Sequence, residues 1–171
     1  MTLPDAKALI NCDSLHTPQP QTWFDLGCGS GLFSNALAEL LPEESSIYAI
    51  DQQPTKFKSK NIKFFQLDFV KDPLPIQLPV NGILMANSLH FVKDKLLFLN
   101  KVKDHLLPGG VFLVVEYDMD TPNPWVPYPV GFLSAQDLFK AAGFERGDKI
   151  SERPSTLNGR NIYSALFLKQ S

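Results

Sequence analysis

The chain has 171 residues, 44% of them hydrophobic and 20% charged, with a formal net charge of −2. That length supports one domain, residues 1–171, with a sizeable core and no need of disulfide staples. The charge balance argues against a nucleic-acid protein, whose phosphate contacts need a basic face, and the longest apolar run falls far short of a membrane span.

Cys12 and Cys28 form neither a metal spacing nor a disulfide framework. The amino terminus lacks a basic region followed by an apolar core, so no signal peptide is visible. A reduced, cytoplasmic setting is the expectation, for a monomer or a homodimer. Lys56, Lys58, Lys60 and Lys63 cluster, and read as a solvated edge.

In chain order, Leu3 to Ile10 is a short helix with Pro4 in its first turn. Asn11 to Gln21 carries Pro18 and Pro20 and is a loop. A first strand, Thr22-Trp23-Phe24, runs into Asp25-Leu26-Gly27-Cys28-Gly29-Ser30-Gly31. A helix follows over Leu32–Leu41, with Leu32, Phe33, Ala36, Leu37, Leu40 and Leu41 on its apolar face and Pro42 closing it. Glycines at alternate positions let the backbone take φ > 0 and approach a ligand closely, beside the unpaired N–H groups of a helix start.

Ser46 to Asp51 is a second strand ending in an acid. Gln52 to Asn61 is short for a crossover and leaves room for a single helical turn from Pro54. Ile62 to Asp68 is a third strand, and Lys71 to Val80 a proline-rich loop. Gly82 to Phe91 takes in a fourth strand and the loop after it, with His90 three residues past the strand. Lys93 to Leu107 is a helix, with Leu96, Leu97, Leu99, Val102 and Leu106 inward and its lysines outward. A Pro-Gly-Gly turn leads to a fifth strand ending at Glu116. Asp118 to Phe132 is a loop, and Ser134-Ala135-Gln136-Asp137 reads as a capping box for a helix over Ala135–Ala142, closed by Gly143. Arg146–Glu152 and Tyr163–Lys169 are two last strands.

The loop is not the dinucleotide fingerprint. Its third glycine comes one residue early, at Gly31, and Asp25 would repel a pyrophosphate while suiting a positively charged ligand. No lysine follows the glycines, so it is not a P-loop. The loop resembles motif I of the class I S-adenosylmethionine (SAM)-dependent methyltransferases, and the resemblance extends over Thr22 to Phe144. It implies an α/β fold: a single-domain, doubly wound, Rossmann-like sheet of seven strands, mostly parallel with an antiparallel final strand. It also implies a SAM cofactor, leaving S-adenosylhomocysteine (SAH) as product.

By that resemblance the cofactor is held at Asp25, Gly27, Cys28, Gly29, Gly31, Asp51, Gln52, Asp68, Phe69 and Asn87. Asp51 takes the ribose hydroxyls, Asp68 the adenine amino group, and Phe69 packs by the ring. Cys28 fits the loop as a small side chain, not as a catalytic thiol. No metal site is expected. A small-molecule acceptor is the expectation, because Asn87 is followed neither by Pro-Pro-Tyr nor by Pro-Pro-Phe, and Asn rather than Asp there departs from the Lys-Asp-Lys-Glu ribose methyltransferases.

The catalytic candidates are His90 and Tyr117. His90 could serve as a base for a hydroxyl or an acidic carbon; the residues alone lean slightly toward a histidine that only packs. Tyr117, Trp125, Tyr128 and Phe132 form either an aromatic wall for a planar or cationic acceptor or a set of loop anchors. Small-molecule members of the family carry several helices before the first strand. Only about twenty residues stand there in this chain, so residues 1–21 serve at most as a partial lid. Two other readings stay open: a SAM-binding module without turnover, and an NAD(P)-dependent enzyme.

Overall fold

The computed structural model describes residues 1–145, 147–155 and 159–170. Its helices are α1 (Leu3–Ile10), α2 (Leu32–Leu40), α3 (Lys95–Lys103) and α4 (Phe132–Ala141). Its strands are β1 (Thr22–Leu26), β2 (Ser46–Asp51), β3 (Ile62–Gln66), β4 (Val80–Ala86), β5 (Leu106–Tyr117), β6 (Asp148–Pro154) and β7 (Asn161–Leu168). They form one seven-stranded sheet in the order β3-β2-β1-β4-β5-β7-β6. β7 runs antiparallel to both of its neighbours, and the remaining pairings are parallel.

Alternation along the strands builds the two cores. Trp23 and Ile47 point to one face, where α1 and α2 bring Ala6, Leu9, Ile10, Phe33 and Leu37. Phe24, Ile83 and Phe112 point to the other, where α3 and α4 bring Phe98, Leu99, Val102, Ala135 and Phe139. The inner strands β1, β4 and β5 are covered on both faces and so read as nearly continuous apolar runs. The connections from β1 and β4 leave the sheet in opposite directions, which opens a crevice beyond the carboxyl ends of β1, β2 and β4.

Several boundaries differ from the sequence expectations. No helix forms among the described residues between β2 and β3; the segment is irregular, and Phe57 packs its ring near Gly31 and Phe64. The segment is too short for a helix to cross back over the sheet. α3 begins at Lys95 because the Asp94 carboxylate caps the Leu97 N–H at 3.1 Å. It ends at Lys103, and Leu106 pairs with Val80 instead of continuing the helix. Phe98 takes an inward place, leaving Leu97 68% exposed. β3 stops at Gln66, two residues before Asp68.

α4 starts at Phe132, so Ser134 lies inside its first turn and is no cap. Its N-cap, Gly131, has no side chain to offer. The Asp118 carboxylate accepts the Phe132 N–H at 2.8 Å and Asp120 accepts the Gly131 N–H at 2.9 Å. The helix start is thus tied to the end of β5. β6 begins at Asp148; of the expected Arg146 start, residue 146 lies outside the described residues.

α1 is not a lid. It packs on α2 and β6, away from the crevice. Asp5 pairs with Arg153 at 2.8 Å, Lys7 with Glu39 at 2.9 Å, and Ser164 donates to the Leu9 carbonyl at 2.5 Å. Thr2 and Asp5 close a capping box at its start. Ala6, Leu9 and Ile10 form an apolar stripe buried against the sheet and α2.

Candidate active site

The turn after β1 is fixed by β2. The Gly27 and Cys28 N–H groups both donate to the Ile50 carbonyl, at 2.8 and 3.0 Å, and the Gly31 N–H closes on Cys28 O at 2.8 Å. Gly27 and Gly31 both have φ of +83°. A Cβ at Gly27 would stand 2.4 Å from the Ser88 Cβ, and one at Gly31 2.4 Å from the Phe57 ring. Only glycine fits at either place. At Gly29, which lines the crevice, a Cβ would meet nothing within 4 Å.

The crevice is a cleft of about 880 Å³ between this turn and the ends of β2 and β4, with the turn after β3. Gly27, Cys28, Gly29, Asp51, Gln52, Asp68, Phe69 and Asn87 all line it. Asp51 ends β2 and accepts from Gly29 N–H at 2.8 Å and Gln53 N–H at 2.9 Å. Asp68 sits in a turn rather than on a strand. It accepts from the Val70 and Lys71 N–H groups at 3.0 and 3.3 Å and pairs with the Lys71 ammonium at 2.9 Å. Burial pushes its carboxyl up, but the Lys71 side chain and the two backbone donors outweigh that and hold it below the ordinary range.

Asp25 and Gly31 do not line the cleft. Asp25 is fully buried behind the turn, where Ser34 of α2 donates to its Oδ2 at 2.5 Å. Its Oδ1 is buried without a partner. Burial raises its pKa to about 7, with Ser34 pulling it down and Asp51 adding to the rise. Asn87 directly follows β4 with φ of +54°, its N–H on Val115 O at 2.7 Å, and its Oδ1 also buried without a partner among the described residues. Burial pushes the Cys28 thiol up, so it is no thiolate nucleophile.

Neither His90 nor Tyr117 lines the cleft. His90 is 3% exposed in the turn Leu89–Phe91. Its N–H donates to Glu116 Oε1 at 3.1 Å, and its Nδ1 lies 2.7 Å from Glu116 Oε2. Its ring centroid is 4.3 Å from that of Phe91, which does line the cleft, and 6.1 Å from that of Tyr117. Phe132 is no part of the site; it packs against Tyr163 with Lys149 over its face.

Sequence reasoning missed Glu116, Ser34 and Phe91. An acid at the end of an otherwise apolar strand was the one available signal, for Glu116. Ser34 gives no sign of contacts made far from its own segment. A second cavity, of about 370 Å³, lies at the opposite end of the sheet by Gln21, Asn81 and Gly109. There the Gln21 and Asn81 side chains are already hydrogen-bonded within the protein.

Residues 24–112, more than half of the chain, match the methyltransferase domain family. The chain belongs to that family. An uncharacterized methyltransferase of Mycobacterium bovis is 25% identical to it over 101 residues, 57% of this chain and 51% of the relative. The chain therefore spans about half the length of the curated relatives it matches. Among solved structures, the 1,6-didemethyltoxoflavin-N1-methyltransferase of Burkholderia thailandensis, with 1,6-didemethyltoxoflavin and SAH bound, superposes with a TM-score of 0.77. It is 18% identical, over 99% of this chain and 78% of that one. Human N-acetylserotonin methyltransferase in complex with SAM gives 0.69 at 22% identity, over 98% and 52%. At these identities the likeness is one of fold. This methyltransferase domain is thus a doubly wound sheet whose family motif and cleft coincide. Among its described residues no helix is long and apolar enough to cross a membrane.

Proposed function

We propose that this domain is a SAM-dependent methyltransferase acting on a small-molecule acceptor. One observation carries the cofactor: among the described residues, the two buried side-chain atoms left without partners, Asp25 Oδ1 and Asn87 Oδ1, are both acceptors, one on β1 and the other directly after the neighbouring β4. Buried acceptors without donors are costly, so a ligand that brings N–H donors and positive charge fits here. The ammonium of SAM does so. A pyrophosphate would bring only further acceptors and negative charge to Asp25.

Asp51 would hold the ribose hydroxyls, its carboxylate kept in place by Gly29 and Gln53. Asp68 and Phe69 would hold the adenine, with Gln52 alongside. Asn87 and Asp25 would face the amino-acid end, Asp25 from behind the turn. When bound, SAM supplies an activated methyl group on a sulfonium, so the protein has mainly to place the acceptor in line. Glu116 fixes His90 through both its backbone and Nδ1, and Nε2 makes no hydrogen bond to a described residue. His90 would take the proton of an acceptor that must lose one; an amine acceptor needs no such base.

The test is calorimetric titration with SAH, with NADH as control. Micromolar binding, about −8 kcal/mol, without an NADH signal supports the reading; NADH binding, or no SAH binding, sinks it. A second reading, a SAM-binding module without turnover, draws support from the burial of His90 and from neither His90 nor Tyr117 lining the cleft. It predicts SAH binding with no methyl transfer to any acceptor.

We further infer a cytoplasmic protein, monomeric or homodimeric, that does not bind nucleic acid. Its two free cysteines and its net charge of −2 support this.

A further inference from the structure

Three large aromatic residues stay exposed beside the cleft. Phe91 lines its β4 end and is 60% exposed; Trp125 is 74% exposed and Tyr128 39%. Exposed rings on a loose loop would mean little, but these sit on a fixed frame. The Phe91 N–H bonds Ser88 O at 3.1 Å, and its neighbours Leu89 and His90 are buried, His90 anchored on Glu116. In the second turn, Asn123 Oδ1 accepts the N–H groups of Trp125 and Val126, each at 2.9 Å, and Val126 is buried as its anchor. The two turns are stitched together by the Tyr128 N–H on His90 O at 3.0 Å. Lys95 adds a bond to Tyr128 O at 2.5 Å and one to Val92 O at 2.9 Å. Apolar rings held outward at the mouth of a cleft mark a surface built to be covered.

What covers it is constrained by charge. An aromatic surface suits either a flat ring or a cation. Here the cation position is taken: Lys95 Nζ lies 5.7 Å from the Tyr128 ring centroid. Lys93 lines the same end of the cleft and would repel a positive ligand.

We infer that the acceptor is a flat, uncharged or anionic aromatic ring system, bound against Phe91 and the Trp125–Tyr128 turn. The inference rests on the methyltransferase reading above and names its substrate class. Phe91 joins the two sites, since it borders the cofactor cleft on one side and the aromatic surface on the other. The buried His90 ring backs it from within, and the Tyr117 ring lies 6.1 Å from that of His90.

The experiment is calorimetry on the whole protein, with and without SAH. The probes are 2-naphthol, 8-hydroxyquinoline and a pteridine, with decahydro-2-naphthol and choline as saturated and cationic counterparts. Iodide quenching gives a second readout: of the two tryptophans, Trp23 is fully buried, so quenching reports Trp125. The expected result is that an aromatic probe binds at least about tenfold tighter than either counterpart and shields Trp125. Trp125→Ala should weaken that probe about fivefold or more at unchanged SAH affinity and melting temperature, and Phe91→Ala should weaken it as well. Equal binding of naphthol and its saturated form overturns the inference, as does preference for choline or no aromatic binding at all. So does a dimer, seen by sedimentation, that shields Trp125. If SAH binds while the aromatics fail, this inference falls alone. If SAH fails to bind, the cofactor reading falls, and the SAH-free titrations still decide the aromatic surface.

Discussion

The Gly29 N–H donates to Asp51 Oδ2 at 2.8 Å, so the acid that ends β2 also holds the glycine turn that ends β1. Asp51→Ala therefore removes a ligand contact and a turn contact together. We expect SAH affinity to fall about tenfold or more, as loss of charge-assisted hydrogen bonds worth about 1.5–3 kcal/mol implies. Calorimetry on a folded Asp51→Ala protein checks this, and unchanged affinity would displace the ribose from Asp51.

The glycines separate packing from ligand approach. Gly27→Ala drives a Cβ to 2.4 Å from the Ser88 Cβ, at φ of +83°. We expect a loss of about 2 kcal/mol or more and a clear drop in melting temperature. Gly29→Ala meets open space and should cost about 1 kcal/mol for its backbone alone. Gly29 lines the cleft, so SAH binding should suffer out of proportion to stability. Equal stability losses for the two variants would contradict this geometry.

Asp25 couples stability and ligand binding to pH. Burial pushes its carboxyl up to about 7 in the folded protein, from an ordinary 3.8. Its contribution is fully present below the unfolded value and is lost as pH rises through the folded one. Stability of the ligand-free protein should fall between those limits, by up to about 1.4 kcal/mol per pH unit. An ammonium ligand favours the ionised form, so SAH affinity should rise toward pH 7 with proton release. Denaturation and calorimetry across pH test both trends. Asp25→Asn should flatten the stability slope and abolish the proton release; an unchanged slope in the variant would assign it elsewhere.

Glu116 and His90 are both buried, at 1% and 3% exposure, and each is the other's charged or polar partner. Glu116→Ala strands the imidazole and should cost about 3–5 kcal/mol, whereas the near-isosteric Glu116→Gln should cost less. His90→Ala should reduce turnover with an acceptor that must lose a proton and leave SAH affinity intact. Full activity in a folded His90→Ala protein would return His90 to a packing role.

The sequence was most legible where a segment's own residues determine its state. α1 and β2 match their expected limits, since a capped apolar stripe and an alternating run ending in an acid are local signals. Errors arose where a distant group intervened. Ser134 looks like a cap, but Asp118 and Asp120 reach the helix start first. Leu97 fits an inward stripe, yet Phe98 occupies the core and Leu97 faces water. Leu106 continues a helical pattern and is instead captured by Val80 across the sheet.

The site divides along the same line. Three glycines on alternate positions between a strand and a helix determine a tight turn with positive φ, and Asp51 at the end of its strand is placed by parallel pairing with β1. These follow from backbone sterics and side-chain period, which act within a few residues. Tertiary packing alone decided that Asp25 is buried with an unpaired oxygen behind the turn. It also joined His90 to Glu116, on adjacent segments after β4 and in β5, and set the 120s turn beside Phe91. Burial depth and long-range hydrogen bonds depend on which faces meet, and no short stretch of the chain encodes that by itself.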